Sequence, residues 1–184
     1  MEDGRIIELF FERSEEAISA LDRKYGRLCH ELSNHILNNR LDAEECVNDA
    51  YLGMWNVIPP ERPNPLMAFL CKIVRNLSLK RYHANTAKKR NSAYDVAMAE
   101  VESCLASPDT VEGRIEANEL TMELERFLDM LTEENRVLFL RRYWFADSYE
   151  EIAGRMGMTQ KNVSVRLARL RKQLRKYLTE RGLL

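Results

Sequence analysis

Between Thr159 and Leu178 the spacing separates two kinds of side chain. Val163, Leu167, Leu170, Leu174 and Leu178 fall on one side of a helical pattern, at steps of 4, 3, 4 and 4. Lys161, Asn162, Val165, Arg169, Lys172 and Lys176 fall on the other side, with Arg166 at its edge. Such a set breaks no covalent bond. Its chemistry is recognition, because Lys, Arg, Asn and Gln carry the donors and acceptors that meet base edges in a major groove. Arg171, Lys172, Arg175 and Lys176 are suited to phosphates, and the helix N-terminus favours an anion. A second basic set lies upstream. Lys72, Arg75, Asn76 and Lys80 occupy the outward side of a helical pattern that turns Phe69, Leu70, Ile73, Leu77 and Tyr82 inward and runs on into Lys88-Lys89-Arg90.

These sets need elements to aim them. Ser148-Tyr149-Glu150-Glu151 is a capping box that opens a short helix. Gly157 suits the left-handed position that ends it, and Thr159 caps the basic helix. Ile152, Ala153 and Met156 can pack on the stripe of that helix, Ala153 being small where two helices approach. The pattern predicts a helix-turn-helix over about 148–172. A single bidentate base contact is worth roughly 1–3 kcal/mol, so one such helix is a weak specific reader and needs a partner or a second site.

Other chemistry is excluded by what the chain lacks. It has no GxGxxG, no GKS/T loop and no GxSxG. Cys29, Cys46, Cys71 and Cys104 form no CxxC pair, and His30, His35 and His83 have no zinc spacing with them. We expect reduced, mostly buried thiols, no catalytic residue, no metal and no cofactor. No apolar run reaches the ~18 residues of a membrane span. Met1-Glu2-Asp3-Gly4-Arg5 does not begin a signal peptide, so a cytoplasmic location is expected.

The formal net charge of -1 over 184 residues seems to oppose a nucleic-acid partner, but the charge comes in blocks. Residues 1–61 carry -7, residues 62–94 carry +8 with no acidic residue, residues 95–134 carry -10 and residues 135–184 carry +8. Two basic blocks separated by an acidic one suggest two sites for a polyanion.

The chain reads as all-α, with two small helical domains over 1–92 and 115–184 joined by a flexible acidic linker over 93–114. Helical periodicity runs from Ile6 to about Asn39, with a break near Arg13-Ser14 where Ser14 can cap. Asp42-Ala43-Glu44-Glu45 reads as another capping box, opening a helix that stops before Pro59-Pro60. The stretch through Pro65 is a stiff loop short of backbone donors. A further helix starts near Leu66. Ser107-Pro108-Asp109 and Gly113 mark the linker. The second domain resumes near Glu116 with Leu120, Leu124, Phe127, Leu128 and Leu131, and Thr132 caps its next helix.

Three of these stretches carry a family resemblance. Asp42 to Trp55 (DAEECVNDAYLGMW) resembles the polymerase-binding helix of bacterial sigma factors. Phe69 to Asn76 (FLCKIVRN) looks like the promoter-melting helix that follows it. Tyr149 to Gly157 (YEEIAGRMG), with the basic helix after it, looks like the domain that reads the −35 element. Their order and spacing resemble the extracytoplasmic-function (ECF) group of the sigma-70 family, which keeps regions 2 and 4.

The resemblance implies roles. Glu45, Asn48, Asp49 and Trp55 would dock on the β′ clamp of core RNA polymerase, Trp55 being equally suited to core packing. Asn64, in the Pro-rich loop, lies where the family captures a flipped base of the −10 element. Lys72, Arg75, Asn76, Lys80 and Arg81 would handle promoter backbone and strand separation, although Arg75 and Asn76 could equally be structural. Thr159, Gln160, Lys161, Asn162, Val165, Arg166, Arg169 and Lys172 would read the −35 element. The β flap and promoter DNA are further partners, and many relatives are held by an anti-sigma factor, which no residue here identifies. The acidic linker would either occupy a positively charged polymerase channel or serve as a solvated tether. The chain departs from the family at Asn48, where Gln is usual, at Phe69, where Trp is frequent, and at Lys80, where Asp is frequent.

Two other readings stay open on the residues alone. One is a free-standing helix-turn-helix transcriptional regulator, which would bind a palindromic operator tightly by itself. The other is a helical adaptor for an acidic partner. A sigma factor would bind DNA weakly alone and open promoters only with core polymerase.

Overall fold

The computed structural model describes residues 1–85, 92–105 and 117–184. Among them the chain forms nine helices and no strand, the all-α class expected. None of these helices is long and apolar enough to cross a membrane. The chain divides into two units, Met1–Ser92 and Ala93–Leu184. Lys88-Lys89-Arg90, Ser107-Pro108-Asp109, Gly113, Glu116 and the rest of the expected linker beyond residue 105 lie outside the described residues.

In the first unit α2 (Glu16–Leu37), α3 (Arg40–Val57) and α4 (Leu66–Asn85) pack on one another, and α1 (Asp3–Phe11) packs on α2. Ile6, Phe10, Leu21, Leu32, Ile36, Met54, Ile58, Leu66 and Leu70 are fully buried between them. Each such side chain stabilises the fold by about 1.5–3 kcal/mol relative to exposure. The expected break lies between α1 and α2. Arg13 is left-handed there (φ 54°), and Glu16 N–H donates to Ser14 Oγ at 3.3 Å.

The capping box at Asp42–Glu45 does not form. Asn38 takes the left-handed conformation (φ 48°) that closes α2, and this delivers Asn39 to the N-cap of α3. Asn39 Oδ1 accepts from the amides of Leu41 (3.0 Å) and Asp42 (3.3 Å), so the helix begins earlier than expected. Asp42 is left free to reach α4.

The buried side of α4 is also rotated from the expected one. Leu66, Leu70, Cys71, Val74 and Ser78 are buried, while Phe69, Ile73, Leu77 and Tyr82 are half-buried. Ser78 could not be recognised as core from its polarity. Its hydroxyl donates to Val74 O at 2.8 Å and therefore accepts from Ser33 of α2 at 2.8 Å, which satisfies both buried groups. Gly26 makes room for a second polar contact. A Cβ there would stand 2.3 Å from Asp22 Oδ1, the atom to which Tyr51 OH donates at 2.8 Å. Burial, then Asp22, pushes the Tyr51 phenol up. Cys29, Cys46 and Cys71 are buried thiols and Cys104 is half-buried, none of them in a disulfide.

In the second unit α5 (Ala93–Leu105), α6 (Ala117–Met130), α7 (Glu133–Tyr143), α8 (Tyr149–Met156) and α9 (Gln160–Thr179) share a core built on Phe127, Leu138, Ile152, Val163, Leu167, Leu170 and Leu174. Residues 93–105, expected to belong to a flexible linker, are instead a helix of this unit. Ala97 is fully buried, and Met98, Val101 and Leu105 pack against the same core. Thr132 stands at the N-cap of α7 but makes no side-chain cap bond. The capping box of α8 is complete: Glu151 N–H donates to Ser148 Oγ (3.2 Å) and Ser148 N–H to Glu151 Oε2 (2.7 Å). Gly157 closes α8 at φ 64°, and Thr159 Oγ1 accepts from Asn162 N–H at 3.2 Å to open α9.

Candidate nucleic-acid interface

The turn at Gly157 and the cap at Thr159 set the direction of α9, and its apolar row sets the rotation. Val163, Leu167, Leu170, Leu174 and Leu178 are all buried, as their spacing predicts. Thr159, Gln160, Lys161, Asn162, Val165, Arg169 and Lys172 are exposed. Val165 is 41% exposed among cations, a methyl-bearing side chain with no core to fill. In a major groove it would meet a thymine methyl while Lys161 and Arg169 reach base edges.

Arg166 differs from this group. It is half-buried and faces the start of α7, with Nη2 donating to Asn135 Oδ1 (2.7 Å) and Glu134 Oε2 (3.0 Å), and Nε to Asn135 Oδ1 (3.2 Å). A base contact from Arg166 would have to release these partners. Arg171, expected on a phosphate, points inward. Its Nη1 donates to Glu100 Oε2 (2.9 Å) and to Tyr143 OH (2.7 Å). The same carboxylate accepts from Arg142, whose Nη2 lies 2.6 Å from Oε1. Arg142 is a buried cation whose Nη1 also donates to Asp147 O at 2.9 Å, and it lies 4.9 Å from the centroid of the Tyr149 ring. One carboxylate of α5 thus takes two arginines of the basic block out of the exposed surface.

On α4, Lys72, Asn76 and Lys80 are exposed and spaced by four, so they form one row along the helix. Arg75 is half-buried beside it. Asn64 is exposed in the loop between α3 and α4, and Ile58 anchors that loop in the core.

On α3, Glu45, Asn48 and Asp49 are exposed opposite the buried Ala43, Val47, Ala50 and Met54. Leu41 and Leu52 extend this stripe and are 77% and 58% exposed. An exposed Leu at each end of a polar row suits a protein partner better than solvent. Neither Leu is among the residues that the motif resemblance singles out. Their steps from Glu45 and Asn48 (i−4 and i+4) were the available signal. Trp55 is half-buried, edge-on to Phe10 at 6.1 Å, so part of its ring serves the core.

The α3 and α4 rows meet at Arg81. It is bonded closely to Glu45 and lies 3.7 Å from Asp42, which also accepts from Asn85 Nδ2 at 3.1 Å. Glu45, foremost among these, raises the pKa of the Arg81 guanidinium. An arginine expected on DNA is therefore held by a carboxylate expected on polymerase. The other expected residues remain on separate surfaces of their own helices.

The family model for sigma-70 region 2 matches residues 21–88, and the model for sigma-70 region 4 matches residues 121–174. No curated protein matches the chain. Among solved structures, the chain is similar to CnrH in its complex with the cytosolic domain of CnrY, at 18% identity over 97% of each chain with a TM-score of 0.45.

Proposed function

The chain belongs to the sigma-70 family, with regions 2 and 4 in the two-region form of the ECF group, and from that premise we propose that it carries core RNA polymerase to promoters by two DNA contacts and a melting step. It is a sigma factor for transcription initiation, and the family is not a catalytic one. The observation that best supports the finer reading is the exposed row of α9. Lys161, Val165, Arg169 and Lys172 share a side of a helix whose start is fixed by its own cap and turn.

In the proposed mechanism that row reads the −35 element as duplex. Each good base contact supplies about 1–3 kcal/mol. The loop bearing Asn64 takes a flipped −10 base, which costs a few kcal/mol of unstacking that a pocket must return. Lys72, Asn76 and Lys80 track the backbone of the separated strand, and the α3 stripe from Leu41 to Leu52 docks on polymerase. The Arg81 pair gives a reason for weak DNA binding by the chain alone, since Glu45 holds that cation until polymerase competes for the carboxylate.

The test is to add the purified chain to core polymerase on promoter DNA and to probe unpaired thymines with permanganate. The expected result is thymine reactivity with chain and core together and none with either alone. Tight binding of a palindromic site by the isolated chain, without polymerase binding or melting, would replace this reading with a free-standing regulator.

A further inference from the structure

The loop after α3 is short of backbone donors, because Pro59, Pro60, Pro63 and Pro65 carry none. Besides the bond from Glu61 N–H to Val57 O (3.2 Å), side chains must hold it, and α1 together with the turn that follows it supplies contacts at both ends. At the start of the loop, Arg13 Nη1 donates to Trp55 O at 2.6 Å, in the last turn of α3, and the guanidinium lies 5.4 Å from the Trp55 ring centroid. Carbonyls of a last helical turn have no partner within the helix, so an arginine there acts as a C-terminal cap. Farther along, Arg62 Nη1 donates to Glu8 Oε1 at 2.6 Å while its guanidinium stacks 4.0 Å from the centroid of Phe11. The bond from Arg62 holds the Glu8 carboxyl below its ordinary range.

The helix that carries Glu8 and Phe11 is itself fixed. Ile6, Leu9 and Phe10 are buried, and Asp3 accepts from Lys24 Nζ and Tyr25 OH of α2, both at 2.7 Å. The sigma-70 region 2 match begins at residue 21, beyond α1. The most basic-looking residue of the loop is thus engaged by α1.

We propose that α1 is the positioning element of the loop over residues 58–65, and that Glu8, Phe11 and Arg62 are positioning residues for base capture rather than DNA contacts. This rests on the reading of that loop as the −10 capture site. Glu8 and Arg62 are about half exposed, so substitutions there leave the core intact. An exposed ion pair together with a ring contact predicts a loss of roughly threefold to tenfold in open-complex formation for Glu8→Gln. Arg62→Lys keeps the charge but loses the planar fork and stacking, so it should lose a similar factor. The double variant should lose no more than either single one, because both break one clasp. Polymerase affinity and the salt dependence of promoter binding should stay unchanged.

If Arg62 instead holds a phosphate, Glu8→Gln frees it and melting rises, and Arg62→Gln lowers the salt slope by about one. Either result overturns the proposal. A wild-type chain that binds core but melts no promoter refutes the capture reading, and a second measurement then still bears on the clasp. Amide exchange of Glu61, Arg62 and Asn64 in the free chain should quicken in Glu8→Gln. Unchanged exchange would overturn the positioning role whatever the loop captures.

Discussion

Glu100→Ala tests whether α5 is part of the C-terminal unit. Glu100 Oε1 accepts from Arg142 Nη2 at 2.6 Å, and Oε2 accepts from Arg171 Nη1 at 2.9 Å and, more weakly, from Arg142 Nε and Tyr143 OH at 3.3 Å. The Arg142 side chain is only 4% exposed. Removing the carboxylate leaves this buried cation with the Asp147 carbonyl and the Tyr149 ring. Breaking a buried pair typically costs about 3–5 kcal/mol. The Glu100 carboxylate is one-fifth exposed and Arg142 keeps two contacts, so the expected cost is about 2–4 kcal/mol. For a unit of this size each kcal/mol lowers Tm by roughly 4–8 °C, giving a drop of at least about 8 °C. Trp144 reports the C-terminal unit once Trp55 is replaced by Phe, so thermal and urea unfolding can be read by fluorescence. Glu180→Ala is the internal control, because its exposed pair with Lys176 at 3.7 Å should contribute less than about 0.5 kcal/mol. Glu100→Gln should fall between the two. If Glu100→Ala costs no more than Glu180→Ala, the docking of α5 through this cluster is refuted.

Arg169→Ala should weaken transcription from a promoter with a −35 element by the loss of about 1–3 kcal/mol of binding and leave unfolding unchanged. Comparable loss on a promoter lacking that element would rule out base reading. Arg166→Ala should also lower Tm, because it removes the bonds to Asn135 and Glu134, and identical melting curves would count against that bracing. Gly157→Ala should destabilise by about 1 kcal/mol through its left-handed backbone alone, since nothing lies within 4 Å of the added Cβ. Gly154→Ala, in open space within α8, should gain about 0.5–1 kcal/mol, and equal signs for the two would refute the reasoning. Glu123 accepts from Tyr177 OH (2.8 Å), from Arg181 and from Arg126, and the Tyr177 bond first holds its carboxyl below the ordinary 4.5. A depressed folded pKa means stabilisation that is present above 4.5 and lost as pH falls through the folded value. The Tm difference between wild type and Glu123→Gln should therefore shrink on acidification, and a constant difference would disprove the linkage.

Much of the C-terminal unit was legible because its signals are local. Ser148 and Glu151 are three residues apart, Gly157 answers for its own φ, and five apolar residues at 3–4 spacing leave α9 one rotation. The same logic failed where two residues could serve one local purpose. Asn39 and Asp42 can both cap, and the left-handed Asn38 decided for Asn39. Residues 93–105 looked like tether because acidic side chains obscured a weak apolar row. Ala97, Met98, Val101 and Leu105 do recur at helical spacing, but a small residue such as Ala97 marks a core only once its neighbour is known.

The sequence by itself determined the helical class, the helix-turn-helix and which side of α9 faces outward, while its motifs carried the family only as a resemblance. The class, the motif and the outward side follow from periodicity and capping, whose physical range is a few residues. Tertiary structure decided which cations are available. Arg169 and Arg171 stand two apart with the same charge, yet one is exposed and the other lies against Glu100, 71 residues earlier. Arg81 and Arg62 were likewise assigned by Glu45 and Glu8, from 36 and 54 positions away. A charge attracts any opposite charge that folding brings within a few ångströms, and that distance depends on how the helices pack, which spacing along the chain does not encode.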